Sequence, residues 1–389
     1  MAYWEGRIAA VANLRLFDPD QGWRKYGDNV DEDGRTTFVG CSRDLELALS
    51  SALNASNLTL LTGAGSSYSA RNKAGLLTAP AMTDLWDAVE AKVTTAVLNE
   101  VVSLIPTAAG IAKNIEKLLT LAKLYVSLFD DSNSKKISDF IAVAEVAILE
   151  RVDFVDGATD LSSHRALILR VARRGIRKPR TKIFTTNYDL CFEYAAQSQQ
   201  FVVIDGFSHS TPQVYDRAHF SYDTVRRTGP DDAPDYIENV FQLFKLHGSI
   251  DWRRGASAIV RSRSNEDGTP VLIFPRDTKY QEAFEVPYLD MMGALQTALR
   301  EPDTALLISG FGFADDHICK PILAALQANI SLRVILCDIA FLNDDALKLN
   351  EDIIAKSAGK RVQNTYFDQF IALAEAGDTR IILLNGRFE

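Results

Sequence analysis

The feature that most constrains the fold is a series of short apolar segments, each followed at once by glycine or polar residues. Four such pairs are present: residues 58–62 before Gly63, 182–185 before Thr186, 242–246 before His247, and 305–309 before Gly310. Short apolar runs of this kind are typical of parallel strands buried on both faces. Helical patterns separate them, so the sequence predicts an α/β fold with a doubly wound, mostly parallel, Rossmann-like sheet. Ligands of such sheets bind beyond the carboxyl ends of the strands, where all four polar motifs fall.

The remaining segments complete a predicted organisation. Further strands are expected at 201–204, 332–337 and 380–384, and a hairpin at 258–262 and 270–274. Residues 83–176 have instead the apolar spacing of consecutive helices, clearest between Ile111 and Phe129. We therefore predict three parts: an N-terminal extension (1–55), an α/β domain (56–82 and 177–389), and an inserted helical domain (83–176).

Composition restricts the classes of function. Apolar residues make up 47% and charged residues 24%, as in ordinary globular proteins, and the net charge of −9 argues against a chain that binds nucleic acid over its whole surface. The four cysteines lie far apart without a C-x-x-C motif, which predicts a reducing, cytoplasmic location. The low-charge stretch 93–112 carries Glu100 near its middle, so we expect buried or interface helices there, not a membrane span.

Gly63-Ala64-Gly65-Ser66-Ser67 follows the first of the four strands. Glycines at this place let backbone N–H groups approach a phosphate, and the next helix N-terminus adds a favourable dipole. A dinucleotide fingerprint of the form G-x-G-x-x-G would need glycine at Tyr68, so the usual dehydrogenase pattern is absent. A simple strand-to-helix turn with a serine N-cap explains the segment equally well.

Thr185-Thr186-Asn187-Tyr188-Asp189 opens a second strand-to-helix turn. In one interpretation Asn187 caps the next helix and Asp189 complements its dipole. In the other, Asn187 faces a ribose or a water, because its amide both donates and accepts hydrogen bonds. Taken alone, the segment favours capping.

His247-Gly248-Ser249 follows the third strand and contains one of the five histidines. A neutral imidazole is a natural proton acceptor for a hydroxyl or a water, although a structural histidine at a strand end is the competing interpretation. His317, in Asp315-Asp316-His317, raises the question of a metal, but no other ligand stands at a matching spacing. We therefore predict no metal site and interpret that segment as a helix N-terminus.

Together and in this order, the motifs resemble the sirtuin superfamily, in pieces from about residue 57 to 340. The resemblance is carried by Gly63-Ala64-Gly65-x-Ser67, Thr185-x-Asn187-x-Asp189, His247-Gly248 and Gly310-Phe311-Gly312. It implies that NAD is bound, with its pyrophosphate on the segment Gly63, Ala64, Gly65, Ser66 and Ser67. It further implies that Asn187 and Asp189, together with Thr186 of the same turn, hold the nicotinamide ribose. His247 would be the general base, Gly310 to Phe313 would line the adenosine side, and Asp338 would take the adenine ribose.

Departures from the deacetylase sirtuins narrow the implied activity. Those enzymes carry a four-cysteine zinc module and a glutamine in the Thr-x-Asn-x-Asp turn, whereas this chain has no zinc-spaced cysteines and has Thr186 in that turn. The pattern resembles instead the bacterial sirtuin-like NADases of antiphage defence, above all the member that assembles with a HerA-type ATPase. That resemblance implies hydrolysis of NAD to nicotinamide and ADP-ribose once a partner or a phage signal arrives.

Two other hypotheses stay open: an NAD- or ADP-ribose-binding sensor or scaffold without turnover, and an NAD-dependent deacylase, which the missing cysteines disfavour. Outside the motifs, residues 165–182 form a basic run without an acidic residue. It is either a solvated helix face or a surface for an acidic partner or nucleic acid. The apolar helical block predicts subunit contacts and hence a closed homo-oligomer.

Overall fold

The computed structural model describes residues 14–105, 108, 110–111, 113–175, 177–227, 234–272, 286–341 and 365–388. Their strands are β1 (Arg15–Asp18), β2 (Gly22–Lys25), β3 (Asn29–Val30), β4 (Thr36–Phe38), β5 (Asn57–Thr62), β6 (Lys182–Thr185), β7 (Val202–Ile204), β8 (Val225–Arg227), β9 (Pro234–Tyr236), β10 (Val240–Lys245), β11 (Gly248–Arg254), β12 (Ile259–Arg261), β13 (Thr269–Leu272), β14 (Thr304–Ser309), β15 (Arg333–Cys337) and β16 (Ile381–Asn385). Their α-helices are α1 (Ser42–Asn54), α2 (Ala64–Ser67), α3 (Met82–Val93), α4 (Thr95–Leu104), α5 (Ile115–Leu128), α6 (Ser132–Val152), α7 (Ser162–Val171), α8 (Cys191–Ser198), α9 (Tyr288–Arg300), α10 (Asp316–Ala328) and α11 (Thr365–Glu375).

A nine-stranded sheet runs through the centre of the molecule in the order β2-β1-β16-β15-β14-β5-β6-β10-β7. The seven strands from β16 to β7 are parallel, whereas β1 and β2 add an antiparallel edge next to β16. The chain leaves β5 toward β6 on one side and later returns to β14 on the other. The crevice above β5 and β14 is therefore the switch point at which doubly wound sheets bind ligands. The predicted parallel α/β sheet is confirmed.

Four neighbouring strands end in a single row of register partners. Ser309 pairs with Thr62, Thr62 with Thr185, and Thr185 with Lys245. Because all four strands run in the same direction, the four polar motifs of the sequence leave the sheet side by side at one edge.

Helices cover both faces of this sheet. Helices α9, α10 and α11 pack on one face and α1, α7 and α8 on the other. The apolar run of β14 is continuous because both of its faces are buried. Leu306 and Ile308 belong to the core under α9, α10 and α11, and Ala305 and Leu307 pack into the core under α1, α7 and α8. A strand buried on both faces needs apolar side chains at every position, each Leu or Ile contributing about 1.5–3 kcal/mol when fully buried.

Helices α3 to α6 share a separate core, which contacts the sheet side of the molecule through Leu190, Ile250 and Leu272. Helix α5 begins at Ile115 and not at Ile111, because the Asn114 side chain accepts a hydrogen bond from the Lys117 amide and caps the helix there. None of the described helices is long and apolar enough to cross a membrane. Glu100 instead forms an exposed ion pair with Lys136 at 2.6 Å.

Two parts of the chain differ from the sequence expectations. The hairpin prediction is wrong: β12 and β13 do not pair with each other but flank β11, in the order β12-β11-β13, and residues 273–274 lie outside the described residues. Strand β11 was not predicted because Asp251, Arg253 and Arg254 interrupt its apolar pattern. The polar segment before α1 also contributes β1 and β2 to the sheet.

The basic run 165–182 is engaged largely within the chain. Arg174 and Lys178 donate hydrogen bonds to the backbone carbonyls of Ala55 and Asn54, respectively, at the C-terminal end of α1. Arg180 forms a bidentate pair with Asp223. These contacts favour a role in the packing of this chain over a surface held ready for nucleic acid.

Candidate active site

A cleft of about 270 Å³ opens beyond the ends of β5, β6, β10 and β14. Eight residues predicted from sequence line it: Ala64, Ser67, Thr186, Asn187, Asp189, His247, Phe311 and Gly312. Four other predicted residues do not line the cleft: Gly63, Gly65 and Gly310, which lie where two turns meet, and Ser66, which hydrogen-bonds within the first turn. Asp338 is also outside the lining, one residue past the end of β15, with its amide donating to the Leu384 carbonyl at 3.0 Å.

The glycines are explained by the close approach of the β5–α2 turn and the turn after β14. The Gly65 amide donates to the Gly310 carbonyl at 2.8 Å, and a Cβ on Gly65 would lie 2.6 Å from the Gly310 Cα. Gly310 itself has φ +68°, in the left-handed region that favours glycine. The Ser66 amide donates to the Gly63 carbonyl at 2.9 Å, so two amides of this turn already have partners within the protein.

Asn187 is held by the first turn, not by the helix that comes after it. Its Nδ2 lies 2.8 Å from the Gly63 carbonyl, 2.7 Å from Ser67 Oγ and 3.1 Å from Ser66 Oγ. A backbone carbonyl can only accept, so the contact with Gly63 fixes which end of the amide is the NH₂ group. The group that Asn187 can offer to the cleft is therefore its carbonyl oxygen Oδ1, an acceptor.

Asp189, and not Asn187, binds the N-terminus of the next helix. Its Oδ1 accepts from the Cys191 amide at 3.0 Å at the start of α8, and its Oδ2 accepts from Ser67 Oγ at 2.5 Å. Asp189 is buried. It thus joins the helix N-terminus to the glycine turn, and through Ser67 it holds Asn187 in place.

Lys245 is a buried cation that the sequence analysis missed. Its Nζ lies 2.5 Å from the Asp189 carbonyl, 2.9 Å from Glu193 Oε1 and 2.8 Å from Ser249 Oγ. Burial raises the pKa of Glu193, and the charge of Lys245 opposes that rise. The signal was present in the sequence, since Lys245 is the single charged residue of the apolar strand 240–246, and a charge in such a strand needs a buried partner.

His247 is buried in the β10–β11 turn, directly before β11, and its Nε2 lies 3.2 Å from Nε2 of His317. His317 stands in the first turn of α10, which confirms the interpretation of Asp315-Asp316-His317 as a helix N-terminus. Potential metal ligands that are distant in sequence nevertheless meet here, and the expected absence of a metal stays a prediction. His247, Asp315 and His317 come together so that one ligand atom of each lies within 4.8 Å of the others. Spacing along the chain could not show this, because the two histidines are 70 residues apart.

Residues 181–371 match the family of SIR2-like domains. The match includes the turns that carry Asn187, His247 and Gly310, and it begins after the glycine turn Gly63–Ser67 and after helices α3 to α7. The match supports a SIR2-like domain over this part of the chain, and the SIR2-like family uses NAD. A search of curated proteins found no match to the chain.

Proposed function

We propose that this chain, with its SIR2-like domain, hydrolyses the nicotinamide–ribose bond of NAD to give nicotinamide and ADP-ribose. The observation that carries the proposal is the meeting of Asn187 and His247 in one cleft beside the glycine turn, at the switch point of the sheet. An acceptor amide can orient a water or a ribose hydroxyl, and a histidine can accept its proton.

The chemistry places modest demands on such a site. Cleavage of an N-glycosidic bond builds positive charge on the ribose in an oxocarbenium-like transition state. Nicotinamide leaves as a neutral molecule from a cation, so no strong general acid is needed. The site must hold the ribose, admit one water on the opposite face and accept a proton.

Each requirement has a candidate residue. Asn187 Oδ1 accepts a hydrogen bond from the attacking water and orients it, because the NH₂ side of this amide is occupied by the first turn. His247 accepts the proton, either from that water or through a ribose hydroxyl. Ser67 and Asp189 act as positioning residues. Ser67 binds Asn187 directly, and Asp189 holds Asn187 indirectly because it binds Ser67.

The cleft has the size of one end of a dinucleotide. Its volume of about 270 Å³ is below the roughly 300–1,000 Å³ of sites that enclose a complete drug-sized ligand. We therefore place the nicotinamide ribose in the cleft and the pyrophosphate across Ala64 and Ser67. The adenosine would extend past Phe311 and Gly312 toward Asp338, at the end of the next strand.

The test is release of nicotinamide and ADP-ribose from NAD, followed by liquid chromatography. Asn187→Ala and His247→Ala should each lower turnover about 10²–10⁴-fold, the usual contribution of a positioned base or its partner. His219→Ala is the matched control, because this histidine lies in a different surface depression. A folded Asn187→Ala/His247→Ala double variant with full turnover would contradict the proposal. Tight NAD binding without release by any form of the protein would identify a sensor instead.

We propose the biological role on the resemblance to antiphage NADases: depletion of NAD on infection, by a homo-oligomer assembled with a HerA-type ATPase. One observation on this chain fits an assembly. At the end of α5, Leu124, Leu128 and Phe129 are exposed apolar side chains, which subunit contacts would cover. Light scattering of the purified chain, with and without an added HerA-type ATPase, tests this. A chain that stays monomeric and does not bind the ATPase would contradict the proposed assembly.

A further inference from the structure

Three potential metal ligands meet at the rim of the candidate active site. His247 comes from the β10–β11 turn, whereas Asp315 and His317 stand at the start of α10. His317 stands on α10, and His247 and Asp315 each come one residue before a strand or a helix, so regular elements of the fold hold the cluster.

The distance between the two imidazoles fits a shared metal ion. A tetrahedral zinc ion holds nitrogen ligands at 2.0–2.1 Å, which places two such nitrogens about 3.3 Å apart. The Nε2 atoms of His247 and His317 lie 3.2 Å apart. An ion can thus enter between the two rings with little movement of either.

The carboxylate of Asp315 supplies a third ligand. Asp315 is the N-cap residue of α10, yet its side chain makes no capping hydrogen bond to that helix. Its carboxylate instead lies within 4.8 Å of both imidazole ligand atoms. Both His247 and Asp315 line the cleft, so a fourth position would face the cleft and admit a water.

We propose that His247 Nε2, His317 Nε2 and the Asp315 carboxylate bind a divalent cation of the zinc class, and that the bound cation inhibits the enzyme. Two imidazoles and one carboxylate suit zinc or cobalt and not magnesium or calcium, which prefer all-oxygen sites. The inhibition rests on the proposed NAD hydrolysis: a cation on Nε2 takes the lone pair with which His247 would accept a proton. Binding of the cation does not depend on that function.

The binding test is a titration of the metal-free, untagged full-length chain with Co²⁺, which reports tetrahedral coordination by its visible absorption. We expect one equivalent to bind to the wild type, the band to disappear in His317→Ala and His317→Gln, and Asp315→Asn to weaken binding about 10–100-fold. His219→Ala and Asp316→Asn are controls that should keep the band. Absence of the band in the wild type, or its persistence in both folded His317 variants, would overturn the site.

The activity test is separate. Zn²⁺ should inhibit release of nicotinamide by the wild type at the concentrations that displace Co²⁺ from it. A Co²⁺ band in a chain that never releases nicotinamide would refute the proposed function and leave the metal site standing. Turnover unaffected by Zn²⁺ at full occupancy would refute inhibition alone.

Discussion

The two halves of the cleft floor are built in different ways. The Asn187 half is a closed set of hydrogen bonds in which Ser67, Asp189 and the Gly63 carbonyl hold the amide from the side away from the cleft. The His247 half consists of two imidazoles and a carboxylate brought close together at the end of α10. The first half leaves one acceptor in one orientation, whereas the second offers nitrogen atoms that can exchange a proton or a cation.

The two halves of the cleft suit two different tasks, the orientation of a water and the transfer of a proton. A water has to be held in a fixed place, and a network of short hydrogen bonds among buried groups provides that rigidity. A proton acceptor has to change its state during each turnover, and histidine is the side chain whose ordinary pKa lies closest to neutral pH. Lys245 lies beneath both halves, since it contacts the Asp189 carbonyl on one side and Ser249 of the His247 turn on the other.

Removal of Lys245 should destabilise both halves of the cleft, because Lys245 contacts both. Lys245→Met leaves the half-buried Glu193 without the cation that lies 2.9 Å away in the wild type. It should lower the free energy of unfolding by about 3 kcal/mol, the lower end of the range for buried ion pairs. The deficit should shrink on acidification, because protonation of Glu193, whose pKa burial raises, removes the buried charge. Urea denaturation at several pH values measures both effects.

Lys182→Met is the matched control on the neighbouring strand. Lys182 pairs with Glu301 at 2.8 Å in a more exposed position, so its loss should cost at most about 1 kcal/mol. Equal destabilisation by the two variants would mean that the lysine beneath the cleft has no special importance.

Acid should destabilise the fold at a buried histidine close to the glycine turn. His164 is buried next to Ser69 and Phe192, and this burial lowers its pKa to about 4, against a counteracting charge on Asp189. Between pH 6.5 and 4 the unfolded chain binds a proton at this histidine that the folded chain does not. Stability should therefore fall as the pH falls through this window, by on the order of 3 kcal/mol.

His164→Gln should flatten that pH dependence in urea denaturation, whereas His219→Gln should keep it. If the two variants lose stability in parallel with the wild type on acidification, other groups are responsible for the acid sensitivity.

A methyl group added between the two glycine turns should lower stability less than the change at Lys245 or the acid effect at His164. Gly65→Ala places a Cβ 2.6 Å from the Gly310 Cα, and the resulting displacement should cost about 1–3 kcal/mol. Gly312→Ala is the control, because a Cβ at that position meets nothing within 4 Å. Thermal unfolding compares the two. A similar melting temperature for both variants would show that the turns can separate freely.

The sequence predicted the parallel sheet and the meeting of its motifs because both depend on one pattern. Apolar runs such as 305–309 mark buried strands, and neighbouring parallel strands bring the residues after them to one edge of the sheet. The pattern fails where charges enter a strand, as in β11 with Asp251, or in β2 with Arg24 and Lys25. The orientation of Asn187 and the contact between His247 and His317 depend on side chains from distant segments, which no local pattern contains.

The row of register partners from Ser309 to Lys245 has a consequence for insertions and deletions. Loss of one residue within β6 would draw Asn187 about 3.3 Å along the sheet relative to Ser67, farther than the 2.7 Å hydrogen bond between them can stretch. Changes of length in the connection between β7 and β10 leave the row in place. Variation in chain length should therefore be concentrated in the connections and nearly absent from the four strands that end at the cleft.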